Sequence, residues 1–73
     1  MKYYKCKYLK KSKPQGREYY FRSVHDFELG DIVRNENGNH VLVVAVADSD
    51  EDREFVERLE AYKIKSLVER VEV

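Results

Sequence analysis

Seventy-three residues suffice for one domain with a modest core, and leave no room for a deep catalytic cleft between two layers. Apolar residues make up 42% and charged residues 38%, the mark of a folded domain with a heavily charged surface rather than of a disordered tail. The zero net charge is a cancellation: residues 1–22 carry eight bases against Glu18 alone, a net +7, and the remainder carries −7. Such asymmetry marks a nucleic-acid face or an acidic-partner face, or two elements that neutralise one another in the fold.

Tyr3 to Leu9 alternates with a period of two. Tyr4, Cys6 and Tyr8 point one way and Lys5 and Lys7 the other, which predicts a half-buried strand. Lys10 to Gly16, punctuated by Pro14 and Gly16, reads as an exposed loop. Arg17 to Val24 predicts a second strand, with Tyr19 and Phe21 on one face and Glu18, Tyr20 and Arg22 on the other. The two strands form a hairpin.

His25 to Asp31 reads as a turn with two apolar anchors, Phe27 and Leu29. Gly30 there supplies a positive φ before a third strand, Ile32 to Arg34. Asn37-Gly38 predicts a tight hairpin turn. The fourth strand, His40 to Ala47, is apolar on both faces and is expected to be covered on both.

Asp48 to Asp52 opens a helix. Ser49 and Asp52 resemble a capping box, and the acids suit the positive end of the helix dipole. Phe55, Leu59 and Tyr62 share a face, giving an amphipathic helix of about three turns. Lys63 to Val73 predicts a closing strand in which Glu69 falls in register with Val71 and Val73. Either Glu69 lies beyond the buried part or a bulge resets the face. The fold class is mainly β: a small antiparallel barrel or strongly twisted sheet, in the order β-β-β-β-α-β, with the helix plugging one end. The expected core is Tyr4, Cys6, Tyr8, Tyr19, Phe21, Ile32, Val41, Val43, Val44, Val46, Phe55, Leu59 and Ile64.

No pattern supports catalysis. His25, His40 and Cys6 match no zinc spacing, no glycine-rich loop follows a strand to cradle phosphate, and the serines lack a nucleophile-elbow context. Asp48-x-Asp50-x-Asp52 imitates a calcium loop but has Arg53 and Leu59 where that loop needs glycine and glutamate. The domain is expected to be no enzyme and to hold neither metal nor cofactor. Cys6 is the only cysteine, no apolar run approaches a membrane span, and the first residues do not resemble a signal peptide. A cytoplasmic setting without a membrane role follows as the expectation.

Two charged surfaces are candidates for binding. Tyr3, Lys5, Lys7, Lys10, Lys11, Lys13, Arg17, Tyr20 and Arg22 combine cations with aromatic rings, as single-stranded nucleic-acid binders do. The plain alternative is an amphipathic hairpin whose lysines keep an edge soluble. Asp50, Glu54, Glu57 and Glu60 on the outer helix face suit a basic protein surface, and the alternative there is a solvated face. A noncatalytic protein-interaction or regulatory module leads, followed by single-strand binding. A structural domain, monomer or weak homodimer, pairing through its fourth or last strand, comes third.

Tyr19-Tyr20-Phe21, the segment Phe27-Glu28-Leu29-Gly30-Asp31-Ile32-Val33 and the run Val41 to Val46 together follow a layout that resembles the small N-terminal β-barrel of the primosomal helicase PriA. Short phage and mobile-element proteins of that pattern are similar too. In the helicase family this barrel recognises the 3′ end of a DNA strand. Here Tyr19 stands where that family has a carboxylate, and no Pro-Phe-Gly-like segment follows the third strand. The resemblance therefore implies a barrel, and a phage or mobile-element origin, rather than the DNA-end pocket.

Overall fold

Strand β1 (Lys2–Lys10) buries Tyr4 and Cys6 on one face and turns Lys5 and Lys7 to the other, as its alternation requires. The computed structural model describes residues 1–59 and 63–71; the expectations for Glu60, Tyr62 and Val73 fall outside them. The elements that follow are β2 (Lys13–Ser23), β3 (Ile32–Asn35), β4 (His40–Val46), helix α1 (Asp50–Arg58) and β5 (Lys65–Arg70). They close into a five-stranded barrel in the order β1-β2-β5-β3-β4. The barrel is mixed rather than antiparallel, because β5 joins β2 in parallel at Phe21–Lys65 and Arg22–Ser66. Closure removes the sheet edges that a short open sheet leaves exposed.

Tyr4, Cys6, Phe21, Val33, Val41, Val43 and Leu67 fill the interior, with Tyr8 and Phe27 packed against them. The Tyr4 hydroxyl accepts the Phe27 N–H at 3.0 Å, and the two rings meet edge-on at 5.9 Å. Phe27 is thus an anchor of its loop, whereas Leu29 is exposed. Burial of the Cys6 thiol pushes its pKa up to about 12, which makes it a core residue and a poor nucleophile. Ile64 is buried as expected, and Val33, Ala47 and Leu67 join the buried set.

Several expected core positions lie elsewhere. Tyr19 (40% exposed) falls just past Phe21, where β5 stops covering β2. Val46 (43% exposed) ends its strand. Tyr8, Ile32, Val44 and Leu59 are half-buried. β4 is therefore covered on its inner face only, with Leu42 and Val44 half-open on the barrel's outside.

The two hairpin turns exchange roles. Lys10 pairs with Lys13, so Lys11 (φ 52°) and Ser12 (φ 65°) form the two-residue turn with both residues left-handed. The expected loop is thus mostly strand. Pro14 lies where β2 has only one neighbour, so no ladder hydrogen bond is lost. Gly16 (φ 71°) sits in a bulge, since one β1 residue and three β2 residues separate the Cys6–Tyr19 and Tyr8–Gln15 pairs. At the Asn-Gly site only Gly38 is left-handed (φ 84°). The buried Asn35 widens that turn: its Oδ1 accepts from Asn37 N–H (3.0 Å) and Asn39 N–H (2.9 Å).

Gly30 has the anticipated positive φ (92°). In β5 a bulge does reset the face: Asn35 pairs with Leu67 and Arg34 with Glu69, which leaves Val68 as the extra residue. Glu69 then reaches outward to Arg34 at 2.9 Å. Among the described residues no helix is long and apolar enough to cross a membrane.

Candidate functional site

Lys5 and Tyr20 are directly opposite each other on the outer face of the β1–β2 hairpin, and both reach the first turn of α1. Asp52 Oδ1 accepts from the Tyr20 hydroxyl at 2.8 Å and lies 3.0 Å from Lys5 Nζ. The capping box sets Asp52 in place: its N–H donates to Ser49 Oγ (3.1 Å), and its Oδ2 accepts the Ser49 N–H (3.4 Å). Three residues on, at the spacing that returns to the same helix face, Phe55 stacks on Tyr20 with ring centroids 4.8 Å apart. The helix therefore rests on the barrel's outer wall and does not plug an end. Phe55 remains 46% exposed for that reason, and the helix of nine residues is shorter than three turns.

The electrostatics of this latch follow from its contacts. Lys5, Ser49 and Tyr20 together hold the Asp52 carboxyl far below the usual carboxylate range. The Asp52 contact in turn raises the Lys5 ammonium pKa, and burial, then the same carboxylate, raise that of the Tyr20 hydroxyl. One part of the charge asymmetry is thereby neutralised inside the fold, and the Lys2–Asp26 pair neutralises another at the surface.

The rest of the basic hairpin is not neutralised. β1 pairs with β4 only as far as Tyr8, and β2 meets β5 only from Phe21. Between these limits the hairpin is an arm held by its own two strands, and every residue from Lys10 to Tyr19 is exposed. Residues 7–17 hold Lys7, Lys10, Lys11, Lys13 and Arg17 and no carboxylate. Among the described residues none of these five forms an ion pair. Arg17 lies over the Tyr19 ring at 5.1 Å.

The nine expected cationic and aromatic positions thus divide. Lys10, Lys11, Lys13 and Arg17 stay together on the arm, and Lys7 lies at its base, half-buried and paired with Leu42 of β4. Lys5 and Tyr20 are engaged by Asp52, and the Arg22 Nε–H donates to Ser66 Oγ at 2.9 Å. Tyr3 is half-buried at the far end of β1. On the acidic side Asp50, Glu54 and Glu57 are exposed along α1, with Glu54 3.9 Å from Arg58; Glu60 lies outside the described residues. Sequence patterning passed over Phe55 and Tyr19 as surface groups, since both occupy apolar positions of amphipathic elements. Comparison with protein-family models, with curated proteins and with solved structures gives no match.

Proposed function

We propose that this chain is a noncatalytic binding module that grips the phosphate backbone of nucleic acid with its basic arm. The observation that carries the reading is four unpaired cations, Lys10, Lys11, Lys13 and Arg17, gathered on a ribbon that contributes little to the core, with Lys7 at its base. Like charges repel across a narrow hairpin, and a polyanion relieves that repulsion while releasing its own counterions. A two-stranded ribbon is also narrow enough to lie along a groove or a strand.

Fluorescence anisotropy with labelled single-stranded DNA and RNA at rising salt tests the reading. Binding is expected at low salt, with log K falling against log salt by about 0.7 per phosphate contacted. The variant with Lys10, Lys11, Lys13 and Arg17 changed to Gln is expected to lose most of the affinity and to flatten the slope, its melting point not lowered. Absence of binding at low salt, or an arm variant that binds as well as the parent, refutes it.

A protein partner on the acidic face of α1 is the second reading. It is supported by the exposure of Asp50, Glu54 and Glu57 opposite the latch. A cytoplasmic setting belongs to the same proposal and is supported by the free, buried Cys6. A PriA-like origin in phage or mobile elements also belongs there, supported by the likeness in layout. Dimerisation through β4 or β5 has less support, because both strands already have neighbours on each side.

A further inference from the structure

At the root of the arm, between β2 and α1, lies a groove of about 350 Å³. It is lined by Tyr19, Tyr20, Phe55 and Leu59, and Arg17, Glu18 and Lys63 supply its charged lining. Phe55 has one face against Tyr20 and is 46% exposed. Tyr20 is itself held by Asp52, so the pair of rings is a fixed platform rather than a loose side chain.

We infer that this groove takes an unstacked base of a single nucleic-acid strand whose phosphates run along the arm. The inference rests on the nucleic-acid reading above and adds strand selectivity to it. Three features carry it. A flat ring presented at the surface stacks on any base, because every base has a π-face. The volume is at the lower end of small-ligand sites, room for one base and not for a base pair with its stacked neighbours. The charges divide by place: the groove lining holds the carboxylate of Glu18 as well as Arg17 and Lys63, whereas the arm from Arg17 back to Lys10 holds cations and no carboxylate. A base in the groove with phosphates on the arm matches that division. A duplex keeps its bases stacked inside and can use the arm alone.

The test compares a labelled single-stranded oligothymidine with a duplex of equal length on the parent, Phe55→Leu, Phe55→Tyr and the four-residue arm variant. Phe55→Leu keeps apolar packing against Tyr20 and removes the aromatic face; Phe55→Tyr keeps that face. Phe55→Leu is expected to weaken single-strand binding about tenfold, within the range of one lost base stack. Duplex affinity and salt slope are expected to stay unchanged, and Phe55→Tyr to bind like the parent. Unchanged single-strand binding in Phe55→Leu, with the arm variant still defective, overturns the base site and leaves the arm reading intact. Equal losses for single strand and duplex in Phe55→Leu also overturn it, as does binding of neither by the parent, which removes the arm reading too.

Discussion

At the residue scale, Asp52 links the two charged halves of the chain. Its carboxylate accepts from Tyr20 and pairs with Lys5 while also closing the capping box with Ser49. Its pKa is depressed in the folded state, so its contribution to stability is complete above the unfolded carboxylate value, about 3.9, and is lost as pH falls through the lower folded value. Lys5 has a raised folded pKa, so its share is present below the unfolded lysine value and is lost as pH rises through the folded one. Asp52→Asn is therefore expected to melt below the parent at pH 7, with the gap narrowing below about pH 4. A gap that stays constant from pH 7 to pH 2 in thermal melts contradicts the latch. Ser49 and Asp52 were readable as a cap, because capping is local in sequence. The partners of Asp52 were not, because they depend on a contact 32 residues away for Tyr20.

At the element scale, the hairpin turns show how local chemistry can be overruled. Asn37-Gly38 carries the stronger turn signal, yet the buried Asn35 side chain claims the backbone of that loop and leaves only Gly38 left-handed. Lys11 and Ser12 carry no such signal and are both left-handed, because strand register puts Lys10 opposite Lys13 and leaves two residues to make the reversal. Non-glycine residues in that region are strained. Replacing Lys11-Ser12 by Asn-Gly is expected to stabilise the domain by about 1 kcal/mol in urea melts. No gain, or a loss, contradicts that geometry. The same logic explains Glu69. Its sequence register put it with the valines, and the bulge at Val68 turned it to Arg34. Phe55 and Tyr19 were assigned to the core because periodicity reports an apolar face and not what covers it. The helix lies outside the barrel, and β5 ends its cover at Phe21, so both rings remain at the surface.

At the scale of the whole molecule, barrel closure separates stability from the candidate site. The hairpin's contribution to the core and its pairings with β4 and β5 all come from one end, while the other end is held only by its own two strands and bears unpaired cations. Order of elements, helix and most of the interior were legible from alternation and capping. Closure by a parallel β2–β5 pairing was not, since it joins segments more than 40 residues apart through only two residue pairs. The charge asymmetry was legible as well, but sequence alone left open whether the fold cancels it. The structure cancels it at Lys5 and Lys2 and leaves the arm positive. That remaining charge is the basis of the proposed function. The most direct test is an amide chemical-shift map of the ¹⁵N-labelled protein titrated with a single-stranded oligonucleotide. The account predicts the largest perturbations at Lys10, Lys11, Lys13 and Arg17, extending to Tyr19 and Phe55, with the acidic outer face of α1 unmoved. Perturbations absent from the arm, with or without changes elsewhere, contradict it.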